Sequence, residues 1–253
     1  MNIQDKVIAI TGAAQGFGRA FALDLSERGA KLALIDVNDA KLEETRRLCE
    51  ERNAQCIAYK ADVSKERQII GVFENLVGHF GALDVLVNNA GIIRDGTLLK
   101  VDKRGEIGTL SFQDWQQVID VNLTGVFLCT REAAFHMARL GQPGVIVNLS
   151  SICRAGNRGQ SNYSAAKAGV ASMTVTWAKE LADFQIRVAA IAPGFMQTEM
   201  VESLDGKYLE QLLSSIPLRS FGTVEQITRT LRFILKNDYI TGRVIEVDGG
   251  LRI

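Results

Sequence analysis

The chain has 253 residues, of which 47% are apolar, and its 29 basic side chains balance 29 acidic ones. Balanced charge argues against a nucleic-acid groove or an anionic membrane surface as the main partner, because both favour clustered basic residues. There is no run of about 18 apolar residues, so we expect no membrane span. The four cysteines and two histidines lack metal-binding spacing, and the N-terminus begins as a strand rather than a signal peptide. We therefore expect no metal, reduced thiols and a cytoplasmic protein.

The first strong pattern is a strand, a glycine-rich turn and a helix. Lys6–Thr11 is a short run rich in β-branched residues, and the turn Gly12–Gly18 leads into a helical pattern that continues to Arg28. Glycines let the backbone approach a ligand closely, and a helix N-terminus presents N–H groups to a phosphate. The spacing T-G-x-x-x-G-x-G differs from the common G-x-G-x-x-G fingerprint, so a plain turn with a helix cap remains the alternative.

Lys31–Asp36 predicts the second strand, and Asp36 ends it about 20 residues beyond the glycines. A carboxylate at this position accepts hydrogen bonds from an adenosine ribose and repels a 2′-phosphate. No arginine follows it directly, and residue 15 is Gln15 rather than a basic residue. We therefore expect NAD(H) to be favoured over NADP(H). Capping of the next helix by Asp36 is the alternative interpretation.

Helices and strands then alternate. Leu42–Arg52 predicts a surface helix, Gln55–Tyr59 a strand, Ser64–His79 a helix and Leu83–Asn88 a strand that runs into an Asn-Asn-Ala-Gly stretch. This order predicts right-handed crossovers and a parallel sheet, with ligands beyond the carboxyl ends of the strands. Asp62, at the end of the third strand, either lies near an adenine or caps the helix that follows.

The second half continues the same alternation. Ile92–Leu110 is rich in glycine and charge and predicts an exposed excursion. Ser111–Arg139 predicts one long helix, and Asn122 interrupts its apolar stretch, either as a satisfied core amide or as a site residue. Further strands are predicted at Val145–Leu149, Ile186–Ala192 and Arg243–Val247, with helices at Asn162–Phe184 and Val224–Leu235.

Residues 195–221 contain apolar side chains at helical spacing and suit either a lid over an apolar substrate or an ordinary surface helix. No linker, internal repeat or low-complexity tract divides the chain. We therefore predict a single α/β domain over residues 1–253. Its fold class is a Rossmann-type doubly wound parallel sheet of about seven strands with helices on both faces.

Ser150–Gly169 contains Tyr163 and Lys167 four residues apart, which makes them neighbours on one face of a helix. An ammonium beside a phenol favours the phenolate and lowers the pKa of the tyrosine toward neutrality. Such a group can exchange a proton with a carbinol oxygen. On its own, Tyr-x-x-x-Lys is more often a solvated helix face than a site.

Taken in order, these motifs resemble the short-chain dehydrogenase/reductase family. They are TGAAQGFG, Asp36, NNAG, Asn122, SS…YSAAK and PGF…T, and the likeness extends from Lys6 to the end of the chain. Within that family, NNAGIIRDG, GQSNYSAAKAGV, IAPGFMQTEM and IPLRSFGTVEQI look most like the 3-oxoacyl-[acyl-carrier-protein] reductases and acetoacetyl-CoA reductases.

The resemblance implies that Tyr163 is the catalytic acid/base, that Lys167 lowers its pKa and binds the nicotinamide ribose, and that Asn122 supports a relay water. A serine at the end of the fifth strand holds the substrate oxygen. The family's spacing of thirteen residues before the tyrosine points to Ser150, and alignment of the strand points to Ser151. We favour Ser151, because loop length drifts easily. The implied cofactor-binding residues are Gly12, Gln15, Phe17, Gly18, Asp36, Asp62, Val63, Asn89, Ala90, Gly91, Tyr163, Lys167, Pro193, Gly194, Phe195 and Thr198.

The implied activity is hydride transfer between a nicotinamide cofactor and a carbonyl or secondary alcohol, with reduction of a 3-oxoacyl thioester as the first expectation. The alternatives are an NAD-dependent secondary-alcohol or sugar-alcohol dehydrogenase and a non-catalytic dinucleotide sensor. Two features depart from the reductases: they generally prefer NADPH, and the segment 92–110 is longer here. The family also implies a homotetramer joined through helices 111–139 and 162–184, although Val170, Met173 and Trp177 fit a core face equally well.

Overall fold

The computed structural model of the protein describes residues 1–197 and 206–253. The strands are β1 (Val7–Thr11), β2 (Lys31–Asp36), β3 (Cys56–Lys60), β4 (Val85–Asn88), β5 (Leu99–Val101), β6 (Ile107–Thr109), β7 (Gly144–Leu149), β8 (Ile186–Pro193) and β9 (Arg243–Val247). The helices are α1 (Gly16–Ser26), α2 (Asp39–Glu50), α3 (Glu66–Phe80), α4 (Phe112–Ile119), α5 (Gly125–Leu140), α6 (Ser161–Glu180), α7 (Gly206–Ser215) and α8 (Val224–Lys236).

Within the described residues, seven strands form one parallel sheet in the order β3-β2-β1-β4-β7-β8-β9. The strand order reverses direction between β1 and β4, and in such sheets a crevice for ligands opens at this point beyond the carboxyl ends. The predicted doubly wound sheet is confirmed. Its seven predicted strands are all present, because buried β-branched runs bounded by turn residues are a strong strand signal.

Helices cover both faces of the sheet. Helices α1, α2 and α8 pack on one face, where Phe21 and Leu231 are among the fully buried side chains. Helices α3, α5 and α6 pack on the other face, where Phe73 and Met137 are buried. This double cover explains why β1, β4 and β7 are buried along their whole length. None of the helices in residues 1–197 and 206–253 combines the length and apolarity needed to cross a membrane.

The predicted helix over residues 111–139 is interrupted. It is α4, a π-helical turn over Asp120–Thr124, and α5, in direct succession. The turn contains Asn122, which is fully buried and binds the backbone of Ile92 through both ends of its amide. Turns of this kind concentrate at functional sites, and here the wider turn accompanies a polar side chain placed inside a packed helix.

The predicted excursion at residues 92–110 is exposed, and it also contains an antiparallel hairpin that the sequence analysis did not predict. Strands β5 and β6 pair from Leu99–Thr109 to Val101–Ile107. Asp102 shapes the connecting turn, because its carboxylate accepts hydrogen bonds from the backbone N–H groups of Arg104 and Glu106. Strands of three residues are too short for a clear alternating pattern, which is why the hairpin escaped the sequence analysis.

Candidate active site

The turn between β1 and α1 forms a cradle for a phosphate. A Cβ added to Gly18 would lie 2.0 Å from the carbonyl oxygen of Gly12, so only glycine allows the helix to start this close to the strand. Gly16 has a positive φ of 56° and open space where a Cβ would point. Gln15, the N-cap residue of α1, makes no capping hydrogen bond through its side chain. The free N–H groups and the open approach at this helix N-terminus fit a pyrophosphate.

Asn89 holds the glycine turn in place from the next strand. Its side-chain nitrogen donates to the carbonyl oxygens of Thr11 and Gly12, at 3.0 Å each. The Thr11 hydroxyl in turn accepts from the backbone N–H groups of Asn89 and Ala90, at 3.0 Å each. Thr11 is a residue that the sequence analysis missed, although the threonine before the first glycine was visible in the motif. These four hydrogen bonds link the end of β1 to the end of β4.

A cavity of about 580 Å³ opens beside this turn and suits an adenosine. The carboxylate of Asp36 lies in its wall and accepts from the N–H groups of Ala14 at 3.0 Å and Asn38 at 2.9 Å. Gln15 binds the ammonium of Lys41 at 2.8 Å. The lining residues are Gly12, Ala14, Gln15, Gly16, Asp36, Val37, Asn38, Ala61, Asp62, Val63, Asn89, Ala90, Gly91, Ile92 and Val121.

The capping alternative for Asp62 is wrong, because the N-cap residue of α3 is Lys65 rather than Asp62. Asp62 lines the adenosine cavity, and its carboxylate also accepts from the N–H and hydroxyl of Ser64, at 2.9 and 2.8 Å. The side chain therefore shapes the turn before α3, and the residue lines the cavity as well. Asp36 likewise makes no capping bond to α2, because Asn38 is the residue whose side chain caps that helix.

A second cavity, of about 320 Å³, adjoins the first and contains the candidate catalytic residues. Asn89, Gly91 and Ile92 line both cavities, so the two cavities meet at these residues. The lining residues are Phe17, Asn89, Gly91, Ile92, Ile93, Leu149, Ser150, Ser151, Tyr163, Lys167, Pro193, Gly194, Phe195 and Met196. The structure thus places most of the predicted site residues in the walls of the two cavities. Gly18 shapes the glycine turn without lining either cavity, Asn122 lies behind the wall at Ile92, and Thr198 lies outside the described residues.

The two candidate serines differ in what their hydroxyls do. Ser150 donates its hydroxyl proton to the backbone carbonyl of Lys167 at 2.9 Å. This bond attaches the end of β7 to α6 and uses the proton that a substrate contact would need. The oxygen of Ser151 accepts from the backbone N–H of Cys153 at 3.1 Å, which leaves its proton free to donate. Its nearness to the Tyr163 phenol opposes the rise that burial causes in the pKa of Tyr163. The geometry favours Ser151 as the substrate contact.

The electrostatics of Tyr163 and Lys167 differ from the sequence-based expectation of a lowered tyrosine pKa. Burial raises the pKa of Tyr163 to about 12, and the nearby Cys153 and Asp95 add to the rise. Burial lowers the pKa of Lys167 to about 8. The Lys167 nitrogen lies 5.6 Å from the centre of the Tyr163 ring and binds the Leu149 carbonyl at 2.6 Å. Desolvation therefore outweighs the attraction of the cation in the protein alone.

Asn122 is a satisfied amide beside the site. Its Oδ1 accepts from the Ile92 N–H at 2.8 Å, and its Nδ2 donates to the Ile92 carbonyl at 2.9 Å. A Cβ on Gly91 would lie 3.4 Å from the same oxygen. Asn122 therefore fixes the wall that Gly91 and Ile92 contribute to both cavities.

The sequence analysis missed two polar residues at the start of α6, Gln160 and Asn162, and the loop residue Asp95. Gln160 donates to both carboxylate oxygens of Asp95, at 3.1 and 3.2 Å. Asn162 donates to the carbonyls of Arg94 and Asp114, at 3.0 and 3.2 Å. These bonds attach the loop after β4 to the start of α6. Asn162 and Gln160 lie within the segment that carries the resemblance, but no sequence signal marked Asp95.

Comparisons with known proteins agree with this geometry. The family model for Enoyl-(Acyl carrier protein) reductase matches residues 12–252. The chain is 42% identical to 3-oxoacyl-[acyl-carrier-protein] reductase FabG of Thermotoga maritima, with 100% of both chains covered. It is 42% identical to the protein of that name from Staphylococcus aureus, with 97% of this chain and 98% of the relative covered.

Solved structures show the same similarity in three dimensions. NAD⁺-bound xylitol dehydrogenase superposes with a TM-score of 0.88 at 30% identity, covering 99% of this chain and 100% of the other. A short-chain type dehydrogenase/reductase from Mycobacterium marinum gives a TM-score of 0.89 at 30% identity, with 98% and 96% covered. The fold and cavities define an oxidoreductase that uses a nicotinamide dinucleotide. The chain belongs to the short-chain dehydrogenase/reductase family.

The buried ammonium of Lys167 makes stability depend on pH. Its pKa is about 8 in the folded protein against 10.5 for an ordinary lysine, so between these values the unfolded chain holds the extra proton. The burial penalty is complete below pH 8 and is relieved as the pH rises. We predict that the unfolding free energy of the wild type minus that of Lys167→Met increases from pH 8 to 10, with a slope approaching about 1.4 kcal/mol per pH unit.

Urea unfolding at each pH measures this difference. Lys179→Met, at the exposed end of the same helix, is the matched control for loss of an ammonium. If the difference in unfolding free energy between the wild type and Lys167→Met stays constant between pH 8 and 10, the predicted burial effect is contradicted.

Proposed function

We propose that the protein reduces the 3-oxo group of an acyl thioester with a nicotinamide dinucleotide as the hydride donor. The observation that carries this proposal is that Ser151, Tyr163 and Lys167 meet in one cavity that adjoins the dinucleotide cradle. The substrate class comes from the relatives, since reductases of 3-oxoacyl-[acyl-carrier-protein] are 40–42% identical over nearly the whole chain.

The proposed chemistry divides between the dinucleotide and the protein. When bound, the dinucleotide supplies a hydride to the carbonyl carbon. As the C–H bond forms, negative charge grows on the carbonyl oxygen, and the hydroxyls of Ser151 and Tyr163 donate hydrogen bonds to it. The high pKa of Tyr163 keeps the phenol protonated at neutral pH, which is the form needed to deliver a proton to that oxygen.

Lys167 acts on the tyrosine after the proton has left. Its ammonium, charged below about pH 8, stabilises the phenolate across the 5.6 Å to the ring. We also propose that it binds the nicotinamide ribose and receives a replacement proton through a water supported near Asn122. The amide of Asn122 is held by Ile92 on both sides, so its contribution is a rigid wall rather than a mobile donor.

A second candidate is an NAD-dependent oxidation of a secondary or sugar alcohol by the same residues in reverse. The observation in its favour is the similarity to NAD⁺-bound xylitol dehydrogenase over 99% of the chain, at 30% identity. A catalytically inactive dinucleotide sensor is the third alternative. Its weakness is that the hydroxyl of Ser151, the phenol and the ammonium are all present in the cavity.

The Tyr163→Phe variant tests the catalytic assignment. Loss of the phenolic proton should lower kcat by about 100-fold or more, because general acid catalysis contributes of that order. Dinucleotide affinity should change little, since the glycine turn and Asp36 are untouched. The assay compares 3-oxoacyl thioesters with xylitol and simple secondary alcohols, with NADH or NADPH for reduction and the oxidised forms for oxidation.

The outcome of the panel separates the three candidates. Preferred turnover of alcohols rather than 3-oxoacyl thioesters would replace the first proposal by the second. Dinucleotide binding without turnover of any compound would favour the sensor. An active Phe variant would remove Tyr163 from its assigned role.

We propose that NAD(H) is preferred over NADP(H). The support is the Asp36 carboxylate in the wall of the adenosine cavity, where it would repel a 2′-phosphate. Lys41 donates to the side-chain oxygen of Gln15 at 2.8 Å, and Gln15 lines the same cavity, so Lys41 places a positive charge at its rim.

Asp36→Ser should shift discrimination toward NADP(H). Removing a like charge should raise the ratio of kcat/KM for NADPH over NADH by about tenfold or more, which corresponds to about 1.4 kcal/mol. In the double variant Asp36→Ser/Lys41→Met, this ratio should rise less than in the single variant, because the ammonium of Lys41 no longer attracts the 2′-phosphate. An unchanged ratio in the single variant would reject the role of Asp36.

We propose that the protein self-associates through a groove between α5 and α6. The groove has a volume of about 620 Å³ and is lined mainly by apolar side chains, among them Phe127, Phe135 and Phe184, which are 42–53% exposed. Of the residues first considered for such a face, Trp177 lines the groove, whereas Val170 is fully buried in the core. Aromatic surface of this kind is typical of an interface.

Phe135→Glu should convert the assembly to a smaller species, since a carboxylate is costly to bury in an apolar interface. Sedimentation velocity measures the mass. Gln55→Glu, which adds a carboxylate at an exposed position away from the groove, is the control. Identical mass for Phe135→Glu and the wild type would exclude this groove as the interface.

We further propose that the described parts of the segment 195–221 form a lid over the substrate; residues 198–205 lie outside the described residues. The described part supports this at one point: Ile216, at the end of α7, is buried against Ile152 and Leu251 in a cluster that also contacts Tyr163. Limited proteolysis with and without dinucleotide tests the lid, since closure should protect the segment from cleavage.

A further inference from the structure

Arg154 lies three residues beyond Ser151, in the short 3-10 turn Ile152–Ala155 that follows the end of β7 and begins after Ser151. One arm of its guanidinium, Nη1, donates to the backbone carbonyl of Ser151 at 3.2 Å. The other arm, Nη2, forms an ion pair with the carboxylate of Glu246 on β9. The guanidinium therefore joins the backbone of the candidate catalytic serine directly to the last strand of the sheet.

Glu246 is itself held in place by other charges. Its second oxygen binds Arg252 at 3.0 Å, and Arg252 also binds Asp248 at 2.7 Å. The side chains of Arg154 and Glu246 are 22% and 34% exposed, which makes them more shielded than Arg252 at 70%. The inner pair thus lies against the protein, and the outer arginine covers it from solvent.

Strand β9 supports the opposite wall of the catalytic cavity as well. Glu246 is in register with Ala192 on β8, and the backbone N–H of Gly194 donates to the Val247 carbonyl at 2.9 Å. Gly194 lines the cavity on the side expected for the nicotinamide. The same two residues of β9 therefore anchor the cofactor side through Gly194 and the substrate side through Arg154.

Apolar packing alone would fix the position of the turn Ile152–Ala155 less narrowly than a hydrogen-bonded ion pair does. Ile152 and Cys153 pack against Ile216 and Leu251, and such contacts have little directional preference. A planar guanidinium with donors in a fixed fork sets both distance and angle. The orientation of Ser151 matters because its hydroxyl oxygen accepts from the N–H of Cys153, which belongs to the same turn.

We propose that Arg154 and Glu246 are positioning residues that fix the Ser151 hydroxyl relative to the nicotinamide side of the cavity. This inference rests on the proposed role of Ser151. The pair touches neither substrate nor cofactor, and its effect is expected on the chemical step rather than on dinucleotide binding. A misplacement of about 1 Å costs on the order of 100-fold in rate, and a partial loss of the constraint should cost less.

The test measures kcat, KM and dinucleotide affinity for Arg154→Met, Arg154→Lys and Glu246→Gln. Arg154→Met should lower kcat about tenfold and leave the dissociation constant of the dinucleotide within about twofold. Arg154→Lys should recover part of the loss, because an ammonium reaches Glu246 without the fork geometry. Glu246→Gln keeps an oxygen that accepts from Arg154, so its kcat should fall less than that of Arg154→Met. If Arg154→Met folds poorly, the kcat of Glu246→Gln still tests the proposal.

The control for loss of an arginine is Arg229→Met, since Arg229 pairs with Glu225 on the exposed face of α8. Its kcat should equal that of the wild type. Thermal unfolding of all variants separates a general loss of stability from a loss confined to the chemical step.

A double-mutant cycle with Ser151→Ala shows whether Arg154 acts through the serine. If it does, Arg154→Met should cause no further fall in kcat once the Ser151 hydroxyl is absent. Additive losses, or a kcat of Arg154→Met within twofold of the wild type while Ser151→Ala is impaired, would overturn this inference alone. Full activity of Ser151→Ala would instead overturn the role of Ser151 on which the inference depends.

Discussion

The buried ammonium of Lys167 and its bond to the carbonyl of Leu149, at 2.6 Å, are the contact on which the catalytic cavity depends. Leu149 is the last residue of β7, so the bond fixes α6 against the end of that strand. A buried charge without a partner is costly, and this bond supplies the partner. Ser150 adds a second link by donating to the carbonyl of Lys167. Tyr163, one helical turn earlier, is thereby held where Ser151 leaves the strand.

A network of buried amides and hydroxyls joins the central strands to the helices beside the catalytic cavity. Asn88 at the end of β4 donates to Asn148 on β7 at 2.8 Å and to Thr130 on α5 at 2.9 Å. Asn148 donates in turn to Thr174 on α6 at 3.0 Å. Satisfied polar networks in a core specify one arrangement of its parts. Here the network fixes both central strands relative to the two helices that flank the site.

The parallel sheet was predictable from the chain, because Val7–Thr11, Val85–Asn88 and Gly144–Leu149 are apolar runs that only a doubly covered sheet can bury. The π-helical turn at Asp120–Thr124 was not predictable, because the helical sequence pattern continues through it. Only the hydrogen bonds between Asn122 and Ile92 in the folded protein account for the turn. The short hairpin of β5 and β6 escaped for a similar reason, having too few residues for a periodic signal.

The sequence by itself determined the class of fold, the glycine turn and the spacing of Tyr163 and Lys167, because these depend on local periodicity and on residues close in the chain. The tertiary structure decided what depends on distant segments. Ser150 and Ser151 are adjacent in sequence, yet only the packing of α6 against β7 commits the first to the Lys167 carbonyl. Burial, a property of the whole fold, raises the pKa of Tyr163 where the nearby cation alone would lower it. Likewise, Glu246 lies 92 positions after Arg154 in the chain, so only the folded sheet brings that pair together.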